Sequence, residues 1–150
     1  DLRSGISLFP QDLGVGISQV IPVIVAALHN EAGIVAVEEP ESNIHPAFQV
    51  VLADLFITQA KANPDVLFLV ETHSEHLMLR CLRSIRETTK GLLPDEFPSV
   101  APEDVAAHFV ESTKDGPRIS RIEIDEDGDF VDEWPGGFFE ESYQEKFAGR

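Results

Sequence analysis

Apolar blocks separated by short polar stops run along the first two thirds of the chain. Residues 18–29 are apolar at nearly every position (Val20, Ile21, Val23, Ile24, Val25, Ala26, Ala27 and Leu28). A helix without a polar face is expected to be buried. Ser18 is a favourable N-cap, and a start there puts Pro22 in the first turn, where its missing N–H costs little. Gly33-Ile34-Val35-Ala36-Val37 is a short β-branched run ending in Glu38-Glu39-Pro40-Glu41. Apolar residues on both faces predict a central parallel strand. Residues 47–62 read as an amphipathic helix with Phe48, Val51, Leu52, Leu55 and Phe56 on one side. Val66-Leu67-Phe68-Leu69-Val70 repeats the buried-strand pattern and ends in Glu71-Thr72-His73-Ser74. A third helix, residues 74–88, is expected to bury Leu77, Met78, Cys81, Leu82 and Ile85.

Strand, helix, strand, helix with apolar strands predicts a right-handed βαβ core. Past a proline-containing loop at residues 93–102 the pattern changes. Residues 106–111 and 118–124 read as strands, and Asp125-Glu126-Asp127-Gly128 as a turn before Phe130-Val131. Trp134-Pro135-Gly136-Gly137-Phe138-Phe139 leads into a short acidic helix ending near Phe147. The expected organisation is an α/β domain over residues 1–95 and a small β-rich appendage over residues 96–150.

Charge and composition narrow the function. The formal net charge is −16, with 11 basic against 27 acidic residues. Such a surface repels phosphates over most of its area, so nucleic acid is expected only through other domains. Arg80, Arg83 and Arg86 form a drifting basic ridge on the third helix, which neighbouring acids are expected to neutralise. The lone Cys81 excludes an internal disulfide and a thiolate-rich zinc site. No run approaches the ~18 apolar residues of a membrane span. The start, Asp1-Leu2-Arg3-Ser4-Gly5, has neither an initiating Met nor a signal-peptide layout. A cytoplasmic chain, cut from a longer one, is therefore expected.

The chemistry gathers at the strand ends. In open parallel sheets ligands collect at the C-terminal ends of the strands, and adjacent strands lie about 4.8 Å apart. Glu38 and Glu39 on one strand, and Glu71, Thr72 and His73 on the next, are thereby expected to converge. An apolar strand ending in two acids suits nucleotide hydrolysis. One acid holds Mg²⁺, usually through water, and the other polarises the water that attacks the γ-phosphate. A rival reading makes His73, Glu75 and His76 metal ligands, with Glu39 or His45 added, in a metal-dependent hydrolase.

These motifs, in order, resemble the second half of an ABC-type ATPase head of the branch that includes SMC-, RecF- and OLD-like proteins. Asp12-Leu13-Gly14-Val15-Gly16-Ile17-Ser18-Gln19 resembles the signature loop, and residues 34–39 resemble Walker B. Pro40-Glu41-Ser42-Asn43-Ile44-His45-Pro46 resembles the D-loop region, and Val70-Glu71-Thr72-His73-Ser74 the switch-histidine loop. The tail resembles a domain of unknown function attached to one bacterial subfamily of these ATPases.

The resemblance implies a P-loop NTPase fold, ATP as substrate and Mg²⁺ as cofactor. Glu38 would take the metal position, Glu39 the catalytic base and His73 the γ-phosphate switch. Ser42, Asn43 and His45 would face an opposing protomer in a homodimer or head-to-head pair. Gly14, Gly16, Ser18 and Gln19 would cap that partner's nucleotide at a helix N-terminus.

The sequence departs from the pattern in three places. Glu38 stands where most relatives have Asp. The signature serine aligns by spacing with Gly14, while Ser18 lies four residues later, and either remains a candidate. No Gly-x-x-x-x-Gly-Lys-Ser/Thr loop occurs in the 150 residues. That loop lies N-terminal to these motifs in the family, so truncation is expected and the segment alone is expected to be inactive. A non-hydrolysing interaction module on the same fold is the alternative.

Overall fold

Two parallel strands form the centre of the first part of the chain. In the computed structural model, β1 (Gly33–Glu38) pairs with β2 (Val66–Glu71) in a register that places Val35 beside Phe68, Val37 beside Val70 and Glu38 beside Glu71. The crossover between them is α2 (Pro46–Ala62), preceded by α1 (Val15–Leu28) and followed by α3 (Glu75–Thr89). The structure describes Gly5, Phe9, residues 14–29, residues 31–132, Trp134 and Pro135. The chain divides into two compact units, Asp1–Arg80 and Cys81–Arg150.

Local chemistry sets the element ends. His45 caps α2, its Nδ1 accepting the Ala47 N–H at 3.2 Å, and Pro46 occupies the first turn, where no N–H is required. Ser74 caps α3 by accepting the Leu77 N–H at 3.0 Å. Arg80, on α3 and 8% exposed, pairs with Asp54 of α2, 20% exposed, at 2.5 Å. In the first unit Val35, Leu52, Ala53, Phe56, Val66 and Leu77 are buried, and the Phe56 and Phe68 rings lie 5.2 Å apart.

Several elements differ from the sequence expectation. α1 starts at Val15, a turn before Ser18, because Gly14 adopts φ 91°, a conformation that glycine tolerates without a Cβ clash. Ser18 is thus inside the helix, its N–H and Oγ both donating to the Gly14 carbonyl. Pro22 lies in the interior, not the first turn, and supplies no N–H to the carbonyl of Ser18.

Nor is α1 buried all round. Ala27 is buried, whereas Val15, Ile17, Val25 and Leu28 are exposed. A helix apolar on every face needs neighbours on every face, and α1 packs against α2 and β1.

The two strands likewise have one covered face. Val35 and Val66 are buried, but Ile34, Leu67 and Leu69 on the opposite face are 66%, 60% and 61% exposed. Side chains alternate across a strand whatever their polarity, so a two-stranded layer covered on one side leaves the other apolar row open. On α2, Phe48 and Val51 are exposed, while Leu52, Ala53 and Phe56 form the buried stripe.

The second unit contains an antiparallel hairpin, β3 (Ala107–Thr113) and β4 (Gly116–Ile122), paired from Ala107–Ile122 to Thr113–Gly116. The expected turn at residues 125–128 is present. Gly128 N–H donates to the Asp125 carbonyl, and an isolated bridge joins Ile124 to Phe130. Gly128 fits tightly here, since a Cβ would lie 2.1 Å from the Leu82 carbonyl oxygen. Arg86 holds the same turn, donating to the carbonyls of Asp127 and Gly128 and to the Asp129 carboxylate. Trp134 packs edge-on to Phe109 and tilted to Phe130. The acidic helix expected near Phe147, and Phe138 and Phe139, lie outside the described residues.

The arginine ridge is neutralised by acids within each unit: Arg80 by Asp54, Arg83 by Glu87 and Arg86 by Asp129. Cys81 is half-buried. No helix among the described residues is long and apolar enough to cross a membrane.

Candidate functional site

The two strands end side by side, and their C-terminal edges carry the candidate chemistry. Glu38 and Glu71 are register partners, and the next residue, Glu39, donates its N–H to the Glu71 carbonyl at 2.8 Å. At Glu39 the chain leaves the sheet with φ 42°, an uncommon conformation for a residue with a Cβ. That turn brings the Glu39 side chain toward the loop after β2. There His73 Nε2 lies 3.7 Å from Glu71 Oε1 and 4.0 Å from Glu39 Oε1.

Neighbouring groups fix the Glu39 carboxylate and the backbone of His73. Ser42 Oγ donates to the other Glu39 oxygen, Oε2, at 2.9 Å. Glu41 Oε1 accepts the His73 backbone N–H at 2.7 Å, tying the turn after β1 to the loop after β2. Its second oxygen, Oε2, is buried and has no hydrogen-bond partner among the described residues. Gln49 of α2 links the same two segments: its amide donates to the Ile44 carbonyl and its oxygen accepts from Ser74 Oγ at 2.7 Å.

The start of α1 meets this edge. Asn43, at φ 60°, donates its side-chain amide to Gln19 Oε1 at 2.9 Å. Gly16 lies so close to the turn that a Cβ there would sit 2.1 Å from the Asn43 carbonyl oxygen. Gln19, Val23, Glu38, Glu39, Pro40, Ser42 and Glu71 line one cleft. A second hollow adjoins it, bounded by Glu39, Glu41, Gln49, His73, Ser74 and His76 among others.

Residues 4–78, half of the chain, match the family described as AAA ATPase domain. The chain belongs to that AAA ATPase family. Residues 100–147 match a second family, described as a protein of unknown function (DUF3696), in agreement with the resemblance seen in the tail. Searches of curated proteins and of solved structures returned no match. ATPase-type function follows from this family membership at a coarse level.

Every candidate residue of the AAA ATPase domain lies within the matched span. The fold gathers Glu38, Glu39, Ser42 and Gln19 around one cleft, with His73 beside Glu39. Asn43 and Gly16 form the wall between α1 and the turn. Gly14 and Ser18 are engaged with each other, and His45 with the α2 cap.

Two residues that lay within the quoted motifs without an assigned role take part in the site. Glu71 was visible as a polar strand end, and the Glu38–Glu71 register makes it a neighbour of both other acids. Glu41 belongs to the Glu-Pro-Glu run, but its contact with the His73 N–H spans 32 residues. Among the described residues, the side chains grouped closely enough to hold a metal ion are Glu39, Glu71 and His73. Glu75 and His76 of the rival hydrolase reading are not part of that group.

Proposed function

We propose that this chain supplies the hydrolysis half of an ABC-type ATPase site, working with a phosphate-binding loop carried by another segment. The observation supporting this most directly is the convergence of Glu39 and His73 from adjacent parallel strands, within a span that matches the AAA ATPase family. In this reading Glu39 polarises the attacking water. Ser42 occupies Glu39 Oε2 and leaves Oε1 for that task. His73, its backbone anchored by Glu41, reaches for the γ-phosphate and so couples nucleotide state to the loop after β2.

Glu38 is the candidate Mg²⁺ residue. It is an exposed carboxylate on the cleft, which fits a hard cation that binds through one or two carboxylates plus substrate phosphates. Bound with ATP, Mg²⁺ would neutralise charge on the phosphates. Gly14, Gly16, Ser18 and Gln19 would face the nucleotide of a second protomer, with Ser42, Asn43 and His45 along the same contact. A dimer, homodimeric or head-to-head, is part of the proposal.

Turnover and nucleotide binding in the whole protein that carries this chain test the reading. The Glu39→Gln variant should retain ATP binding and lose turnover by about 10²-fold or more, the scale of losing a positioned general base. Unchanged turnover removes Glu39 from the role assigned to it.

A second reading, an interaction module that keeps the fold without turnover, draws on the open apolar row of Ile34, Leu67 and Leu69. It predicts that the parent protein shows no turnover for Glu39→Gln to abolish.

A further inference from the structure

We propose that Glu39, Glu71 and His73 form a binding site for a borderline divalent transition metal of the Zn²⁺ class, separate from the Mg²⁺ position at Glu38. One ligand atom from each of the three residues lies within 4.8 Å of the others. His73 Nε2 stands 3.7 Å from Glu71 Oε1 and 4.0 Å from Glu39 Oε1. Ligands about 2.1 Å from a tetrahedral Zn²⁺ are roughly 3.4 Å apart. Closing onto an ion therefore shortens the two His73 contacts by about 0.3 and 0.6 Å and the Glu39–Glu71 separation, which lies within 4.8 Å, by up to about 1.4 Å; all three side chains are exposed.

The imidazole decides the class of metal. Carboxylates alone suit Mg²⁺, Ca²⁺ and Mn²⁺, whereas imidazole nitrogen favours Zn²⁺ and its neighbours. Surrounding contacts orient the Glu39 carboxylate and position the backbones of the other two ligands. Ser42 occupies Glu39 Oε2 and turns Oε1 toward His73. Glu41 fixes the His73 backbone, and the Glu39 N–H to Glu71 carbonyl bond fixes the spacing of the two acids. The three protein ligands leave at least one position for water.

Metal binding does not depend on the hydrolysis reading, but its consequence does. An ion held here takes Glu39 and His73 away from nucleotide chemistry, so the metal would act as an inhibitor of turnover.

The test is a titration of the purified chain, without nucleotide, using Zn²⁺ by calorimetry and Co²⁺ by visible absorption. One equivalent should bind in the presence of excess Mg²⁺. His73→Ala and Glu71→Gln should each weaken binding by at least about tenfold. His76→Ala, which changes a residue of the adjoining hollow outside the triad, should leave binding unchanged. Several weak sites indifferent to His73→Ala and Glu71→Gln would mean diffuse attraction to an acidic surface and would overturn the proposal, as would equal competition by Mg²⁺. Because ATP is absent, failure here leaves the Glu39→Gln turnover test intact, and the reverse also holds.

Discussion

Replacing Gly16 by alanine isolates the contact between α1 and the turn after β1. Gly16 is helical, so an added methyl group improves intrinsic helix propensity by about 1 kcal/mol. The same methyl would stand 2.1 Å from the Asn43 carbonyl oxygen, 3.0 Å from its carbon and 3.3 Å from Ile44 Cγ2. The obstacle is backbone, which cannot rotate away as a side-chain tip does, so α1 and residues 43–44 must part by roughly 1 Å to restore ordinary contact.

Overpacking of this kind costs up to about 3 kcal/mol, which leaves a net loss of about 2 kcal/mol. In urea that loss lowers the midpoint by about 1 M, and on heating it lowers Tm by about 4–8 °C for a chain of this size. Hydrogen exchange locates the damage. The Ser42 and Ile44 amides, bonded to the Glu39 and Glu41 carbonyls, should exchange faster in Gly16→Ala. Gly14→Ala is the control: its Cβ meets open space, and its cost is the φ of 91° alone. It should destabilise by about 1–3 kcal/mol without exposing those two amides. A Gly16→Ala protein as stable as its parent, with unchanged exchange at Ser42 and Ile44, would refute the close packing of α1 on this turn.

Other substitutions probe the supports of each unit. Asp54→Ala removes the carboxylate that Arg80, 8% exposed, donates to and should cost about 1.5–3 kcal/mol in a denaturant melt, the scale of a hydrogen bond to a charged group; a loss below the error of the melt would show that Arg80 does not depend on Asp54. In the second unit, Thr88 Oγ1 donates to the Ser84 carbonyl and accepts the Val100 N–H. Thr88→Val should therefore cost about 1–2 kcal/mol and speed exchange of the Val100 amide, and an unaltered Val100 amide would contradict the bond. Arg86→Ala removes the donors to Asp127, Gly128 and Asp129. Limited proteolysis should then cut faster within residues 125–129, and identical cleavage rates would mean that the turn holds without the arginine.

Element types and the identity of the chemistry were legible in the sequence because both rest on local pattern. Two apolar runs ending in acids predicted parallel strands with polar C-terminal edges, and the amphipathic run of residues 47–62 predicted α2. The start of α1 was misread because a serine is a better side-chain cap than a glycine. The chain instead uses the backbone freedom of Gly14, and Pro22 falls inside the helix as a result.

Burial was misread for a related reason. Hydrophobicity records what a surface prefers, while burial also requires a neighbour, and Ile34, Leu67, Leu69 and much of α1 have an open side here. Tertiary structure decided how the acids meet. Register set Glu71 beside Glu38, the turn at Glu39 swung its carboxylate toward His73, and Glu41 reached across 32 residues to hold that histidine. A sequence specifies which groups stand at the strand ends. Their separation to within an ångström depends on backbone angles and hydrogen bonds that exist only once both strands are paired.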